Sequence, residues 1–571
     1  MTALLEIEKL TIRYRFAGGE EFTAIRDHSL TLARGEVLGI VGQSGAGKST
    51  IGKAILGLLE ENARIASGRI LLDGQDVHAG GPRGIEALRG GRIGYIYQNP
   101  MTALDPVLTI GEQLLESIET HTDRRGAQAR AYAVELLAQA EVTDPESRLS
   151  KYPHQLSGGI CQRIVFAIAI CARPDLLIAD EPTTALDVTV QKAVLGTLEK
   201  LARREGISIL LITHDMGVVA QMCDRVQVLR RGALVEEGET RQMLTAPAEP
   251  YTRQLIAAIP PMDRRIDRFD VLERHEDTEG RARGIAYLKA GIAAAPGGHD
   301  VGHDGPHDGA LLTVASLSKT YPADRSIPGS APFRALDGVS FEVHPGEVLG
   351  IVGESGSGKS TIGRCVLRLQ TPDAGGKILF AGRDMASYRG RAGQRALTGA
   401  LQCIFQDPYS SLNPRMSAGR NITYALTARG DLDQAGARRL AGDLMEVVHL
   451  PRAAADKMPH AFSGGERQRI GIARALAMRP RLIFCDEPTS ALDVTVQAEV
   501  LNLLKDLREA LGLTMVFVSH DLAVVRQMCD RVLVMRSGQV VEQGPVDEVL
   551  VTPAQPYTRA LLASIPRLRS A

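Results

Sequence analysis

The sequence predicts an α/β fold built twice over, with a parallel sheet at the centre of each copy. Two observations predict it. First, the chain repeats itself. Gly35-Glu-Val-Leu-Gly-Ile-Val-Gly42 recurs letter for letter at residues 346–353, 311 residues on. Asp180-Glu181-Pro182-Thr183 recurs at 486–489, His214-Asp215 at 520–521 and Pro250-Tyr251-Thr252-Arg253 at 556–559, each 306 residues on. A period this long is a duplicated domain, not a solenoid. The one change of offset puts a slightly shorter insert in the second copy. Second, within each copy short apolar runs alternate with longer helical patterns, as strands joined by crossover helices do.

Along the first copy, Val37-Leu-Gly-Ile-Val41 reads as a strand that enters a Gly-rich turn and then an amphipathic helix from Lys48. Leu176-Leu-Ile-Ala179 and Ile207-Ser-Ile-Leu-Leu-Ile212 are apolar nearly throughout, as are Leu482-Ile-Phe-Cys485 and Leu513-Thr-Met-Val-Phe-Val518 in the second copy. Strands buried on both faces have this composition. The copies span 1–260 and 311–571, with a Gly/His/Asp-rich segment at 261–310 expected to be a flexible linker. In that segment His299, His303 and His307 each precede an Asp. His/Asp clusters can bind Ni²⁺ or Zn²⁺, but with Gly and Pro interleaved and no scaffold a solvated tether is the plainer reading.

Composition narrows the function. The chain has 571 residues, 44% of them hydrophobic, which leaves room for several buried cores. Its 66 Lys+Arg against 67 Asp+Glu give a net charge of −1, a poor match to a dedicated nucleic-acid binder. The longest wholly apolar run, 164–172, is nine residues. That is about half of what a bilayer-spanning helix needs, so no membrane segment is expected. The N-terminal stretch lacks the basic start and apolar core of a signal peptide, and none is expected. The seven scattered cysteines include no Cys-x-x-Cys pair, which argues against disulfides and structural metal and for small buried hydrophobes.

The chemistry lies in the motifs. Gly42-Gln-Ser44-Gly45-Ala-Gly47-Lys48-Ser49-Thr50 and Gly353-Glu-Ser355-Gly356-Ser-Gly358-Lys359-Ser360-Thr361 both fit G-x-x-x-x-G-K-[ST]. Glycines there let backbone N–H groups close around phosphate oxygens, and the following helix start adds partial positive charge. Lys48 and Lys359 are expected on the β- and γ-phosphates, Ser49 and Ser360 on Mg²⁺. Asp180 and Asp486 end apolar strands, the place for a Mg²⁺-directing carboxylate, and Glu181 and Glu487 follow as candidate bases for the attacking water. Gln98 and Gln406 close the strands Tyr95-Ile-Tyr-Gln98 and Cys403-Ile-Phe-Gln406 and are candidates to assist at the metal. His214 and His520 follow the next strand, each 33 residues beyond its glutamate.

Leu156-Ser157-Gly158-Gly159 and Phe462-Ser463-Gly464-Gly465, each followed by Gln-Arg (162–163, 468–469), resemble the signature motif of the ABC ATPase superfamily. Together with the P-loops, the glutamines, the Asp-Glu-Pro-Thr strands, the Ala-Leu-Asp turns at Asp187 and Asp493 and the two histidines, the resemblance covers both copies. It implies P-loop nucleotide-binding domains, each with a RecA-like core, a helical subdomain and a β-subdomain. It implies two ATPs sandwiched between head-to-tail cassettes. Ser463, Gly464 and Gly465 would then serve the ATP of the first P-loop, and Ser157, Gly158 and Gly159 that of the second. Tyr14 and Tyr321 stand where the family places an aromatic ring against adenine; a tyrosine packed at a strand edge is the alternative. The copies differ after the signature glycines, Ile160-Cys161 against Glu466-Arg467. Neither position contacts phosphate in the family pattern, so both sites are expected to hydrolyse ATP.

Two further stretches are similar to the peptide/nickel group of ABC importers, the oligopeptide and dipeptide permeases. One is the Pro-Tyr-Thr-Arg motif after each core; the other runs Gln98-Asn-Pro-Met-Thr-Ala-Leu-Asp-Pro106 and Gln406-Asp-Pro-Tyr-Ser-Ser-Leu-Asn-Pro414. The resemblance implies two separate transmembrane permease subunits, an extracytoplasmic solute-binding protein reached through them, and a peripheral position on the cytoplasmic face of the inner membrane. Many relatives carry a Cys cluster after Pro-Tyr-Thr. This chain has no Cys between 223 and 365, so no iron–sulfur cluster is expected. The alternative is a soluble twin-cassette ATPase of translation-factor type, whose linker is a basic ribosome-entering arm. Residues 261–310 hold 7 Lys/Arg against 10 Asp/Glu, which does not suit nucleic acid.

Overall fold

A computed structural model describes residues 3–16, 19–183, 188–271, 278–293, 309–322, 332–490 and 492–565. Asp187, His299, His303 and His307 lie outside the described residues. By internal contacts the chain divides into two units, 1–257 with 565–571, and 258–564.

In the first unit five parallel strands and one antiparallel edge strand form the central sheet. Their order is Ala233–Glu239, Arg225–Arg230, Val37–Val41, Ser208–Ile212, Leu176–Asp180 and Ile93–Ile96. Every residue of Val37–Val41, Leu176–Asp180 and Ser208–Ile212 is buried, as their nearly unbroken apolar character requires. Because these strands run parallel, their C-terminal ends meet on one edge of the sheet, where α/β proteins place ligands. An antiparallel sheet of Glu21–Ala33, Ala3–Arg15, Ala63–Leu72 and Gln75–Asp76 packs Leu5, Ile7 and Ile12 into one core with Ile40, Ile178 and Ile51. The helices Ile110–His121, Gly126–Gln139 and Gly158–Ile170 make the third layer. The first of them begins on a reciprocal cap between Thr109 and Glu112.

The second unit repeats this plan strand for strand: Leu401–Ile404, Leu482–Asp486, Thr514–Val518, Val348–Gly353, Arg531–Arg536 and Gln539–Pro545, with a second antiparallel sheet beside it. Six of the seven cysteines are buried and Cys403 is half-buried. Among the described residues no helix is long and apolar enough to cross a membrane.

One expectation is corrected. The segment 261–310 is not a flexible linker over most of its described length, because it is fastened to the second unit. The Gln527 side chain donates to the carbonyls of Pro261 and Arg264 at 2.7 and 2.6 Å and accepts from Ile266 N at 2.8 Å. Asn502 pairs with both backbone groups of Phe269, each at 2.9 Å, and Phe269 is 3% exposed. Arg268 bridges Asp506 and Glu509. The helix Glu279–Ala293 then lies along Gln434–Val447, with Arg283 on Asp443, while Tyr287 donates to the Ala477 carbonyl at 3.0 Å beneath the Arg479 guanidinium. Most of these bonds join a side chain to backbone more than 160 residues away. Composition, rich in Gly, Asp and His, carries no trace of them.

A segment so fastened has a measurable stability. Leu288 is 1% exposed, so Leu288→Ala is expected to destabilise the second unit by about 3 kcal/mol in urea unfolding of the full chain. A solvated tether would show no shift.

Candidate nucleotide site

The two copies of the P-loop have the same geometry. Val37–Val41 ends at Gly42, whose φ of 153° is within reach of glycine alone, and a Cβ there would meet the Leu229 carbonyl oxygen at 2.2 Å. The loop turns into the helix Lys48–Ile55. Lys48 is 5% exposed, and its ammonium donates to the Gly42 and Gln43 carbonyls at 2.8 and 3.0 Å. Lys359 makes the same bonds to Gly353 and Glu354 at 2.7 and 2.8 Å. Ser44, Gly45, Gly47 and Thr50, with Ser355, Gly356, Gly358 and Thr361, belong to these loops and helix starts.

The adjacent acids part company at the strand end. Asp180 points to the P-loop helix and accepts from Ser49 Oγ at 2.9 Å; Asp486 accepts from Ser360 Oγ at 3.1 Å. Glu181 and Glu487 both have φ of 47°, the left-handed region that bulky residues enter only when held there. Their N–H groups donate to Ile212 O and Val518 O. The turn aims each carboxylate the other way. Glu181 accepts from Gln98 Nε2 at 2.6 Å and lies 3.1 Å from His214 Nδ1. Glu487 has Gln406 Nε2 at 3.0 Å and His520 Nδ1 at 3.1 Å. Each histidine sits just before a helix capped by its neighbour, Asp215 or Asp521, which fixes where the imidazole leaves the backbone. Glutamate, glutamine and histidine thus meet in both copies.

Electrostatics follow from this burial. Desolvation raises the Asp180 and Asp486 carboxyls above the ordinary range, against the lowering effect of their hydroxyl donors. Burial also raises Glu487, but the hydrogen bond and charge of His520 outweigh it and leave the group lowered. Burial lowers His214 and His520, and the bond to the glutamate, its charge and the neighbouring aspartate reverse the sign, leaving both raised.

Other expected residues are placed less directly. Ser157 and Ser463 both precede the helices that carry the signature glycines, but only Ser463 has a reciprocal cap, with Glu466; among the described residues Ser157 makes no side-chain cap bond, and the Ile160 side chain has no acceptor to return one. Gly158 faces open space, and Gly464 nearly so. Gly159 and Gly465 are packing positions, where a Cβ would meet Val190 and Val496 at 2.6 and 2.1 Å. Asp493 caps the helix Val494–Leu511 through Val496 N. The Tyr14 hydroxyl donates to Glu60, whose carboxyl is held at about 2 by hydrogen bonds from Lys53 and Tyr14. Among the described residues the buried Tyr321 hydroxyl has no partner, and Lys319 lies beside the ring.

One residue was missed by the sequence reading. Tyr95 OH donates to Asp180 Oδ2 at 2.9 Å. The contact exists because Ile93–Ile96 pairs with Leu176–Asp180, two strands that are neighbours in the sheet but not in the sequence.

In the nucleotide-free protein His214 and His520 are expected to titrate above 6.5, the ordinary histidine value. Their contribution to stability is therefore complete below that value and fades as pH rises through the raised one. In Glu181→Gln the charge is gone, burial prevails, and the His214 titration, read by NMR, falls; the same holds for Glu487→Gln and His520.

Comparison with known proteins identifies the family. The profile of the family described as "ABC transporter" matches residues 25–184 and 336–490. That described as "Oligopeptide/dipeptide transporter, C-terminal region" matches 235–284 and 541–571. The chain is 41% identical to the glutathione import ATP-binding protein GsiA of Salmonella paratyphi A, over 99% of this chain and 89% of that protein. Against the protein of the same name from Escherichia coli K12 the figures are 40%, 99% and 89%. Among solved structures, a dimer of the ATP-binding cassette MJ0796 bound to ADP and Pi is 27% identical over 41% of this chain and 98% of that one, with a TM-score of 0.38. With P-loop, paired acids, glutamine and histidine assembled twice, and with the family profile matching both copies, the chain belongs to the ABC transporter family and is an ATPase of its oligopeptide/dipeptide type.

Proposed function

We propose that ATP hydrolysis by this chain drives the import of glutathione or similar small peptides through two separate permease subunits, fed by an extracytoplasmic binding protein. The observation that carries the reading is the full-length likeness to glutathione import proteins, together with the two transporter C-terminal regions. The chain would then work at the cytoplasmic face of the inner membrane as a peripheral subunit, the membrane path lying on its partners.

Support for the residue roles comes from where the side chains lie. The P-loop N–H groups of each copy hold the phosphates, and Lys48 or Lys359 leaves its loop carbonyls to meet the β- and γ-phosphate oxygens. Ser49 with Asp180, and Ser360 with Asp486, offer the hard oxygen donors that suit Mg²⁺, and Gln98 and Gln406, hydrogen-bonded to Glu181 and Glu487, are read as assisting there. Bound there, the ion would offset charge developing on the transferred phosphoryl group. Glu181 and Glu487 orient the attacking water and take its proton. His214 and His520 hold that carboxylate in place and share its charge. Gly158 and Gly464, open at helix starts, are read as signature contacts to a γ-phosphate. Tyr14 and Tyr321 are read as the adenine-facing rings.

Glu181→Gln and Glu487→Gln are each expected to lower ATP turnover by at least about tenfold, and together by about a hundredfold or more. Near-wild-type phosphate release in either single variant would make that site dispensable. The transport reading is tested by deleting the chain from its host and measuring uptake of labelled glutathione and tripeptides. Unchanged uptake of all of them would set aside that solute class. Co-sedimentation with ribosomes, with no recruitment to membranes by any permease, would favour the translation-factor type.

A further inference from the structure

The two copies hold the same aspartate among different neighbours. Asp180 is anchored at both oxygens, Oδ1 by Ser49 and Oδ2 by Tyr95, each at 2.9 Å. Among the described residues Asp486 has one side-chain donor, Ser360 at 3.1 Å. Cys403 stands where Tyr95 does, and makes no hydrogen bond to Asp486.

The difference is not one of volume. Tyr95 is paired across the strands with Ile178, and Cys403 with Phe484. The copies have exchanged which of two adjacent strands carries the aromatic ring. Both rings pack on the P-loop helix at corresponding glycines. A Cβ on Gly52 would lie 3.8 Å from the Tyr95 ring, and one on Gly363 would lie 2.4 Å from the Phe484 ring. A swap that keeps bulk and apolar contact is the kind that cores tolerate. What the second copy lacks is the hydroxyl.

We propose that Tyr95 is a positioning residue that fixes the Asp180 carboxylate for a nucleotide-bound divalent cation, so that the first unit binds metal and nucleotide more tightly than the second. The inference rests on the reading of Ser49 with Asp180, and Ser360 with Asp486, as the cation sites. A carboxylate turns broadly about its last torsion. A serine hydroxyl that turned a lone pair to the ion would still have its proton to donate to the aspartate. Asp180 would then have two anchors, Ser49 and Tyr95, whereas Asp486 would have Ser360 alone among the described residues. A hydrogen bond to a charged group of this kind corresponds to about tenfold in affinity.

The test is titration of the full chain with Mn²⁺ in the presence of ADP, followed by loss of the free-Mn²⁺ signal in electron paramagnetic resonance. Wild type is expected to show two classes of site about tenfold apart. Asp180→Asn should remove the tighter class. Tyr95→Phe, which keeps the ring, should bring the tighter class down to the weaker. The exchange Cys403→Tyr with Phe484→Ile should raise the weaker class to the tighter, which a merely structural tyrosine would not do. A single class in wild type, or a tighter class lost in Asp180→Asn but intact in Tyr95→Phe, overturns the inference. A tighter class that survives Asp180→Asn overturns the reading of the cation site itself. If Tyr95→Phe fails to fold, as its melting curve would show, the double exchange decides, and no rise in affinity there overturns the proposal.

Discussion

One backbone angle in each unit decides where the rest of the site must stand. Two neighbouring carboxylates close a buried strand, and like charges at that separation in a poorly solvated place repel. A regular strand would send them to opposite faces of the sheet and put one of them out of reach. The left-handed turn at Glu181 and Glu487 instead leaves both at the same edge, aimed at different partners. The aspartate goes to the P-loop serine; the glutamate goes to a glutamine and a histidine from the flanking strands. Such a turn costs about 1–3 kcal/mol. The amide bonds to Ile212 and Val518, and the packed strands on either side, hold it in place.

Much of this was legible beforehand for a physical reason. Phosphate chemistry needs glycines, a lysine and a hydroxyl within a few residues of one another, so Lys48, Ser49 and their counterparts announce themselves in a short window. The meeting of Gln98 and His214 around Glu181 joins strands far apart in sequence, and the equal 33-residue spacing in the two copies pointed to the histidine alone. Tyr95 could not be found that way, since its partner lies across a strand pairing and the second copy has Cys403 at that place. The folded segment before the second unit was also hidden, because its bonds run from side chains such as Gln527 and Asn502 to backbone. Backbone groups have no letter in a sequence.

Duplication also shows what the fold leaves free to change. P-loop, acids, glutamine and histidine keep their distances in both units. The surroundings have drifted: Ile160 faces no task at the first signature helix where Glu466 answers Ser463 in the second, and the aromatic ring has moved from one strand to its neighbour. Bulk is kept while hydrogen-bond donors are gained or lost, since a core punishes an empty space more evenly than a missing hydroxyl.

The fastened segment has a mechanical meaning. It touches the core helix Val494–Leu511 through Phe269 and Arg268 and the helical layer through Arg283 and Tyr287. The helix Glu279–Ala293 itself touches both, with Arg281 on Asp506 and Arg283 on Asp443, so rotation of that layer against its own sheet must break one of these contacts. The second unit is therefore braced by a length of chain that lies outside its own repeat, and its subdomains form a stiffer spring than the sheet and helices alone would make.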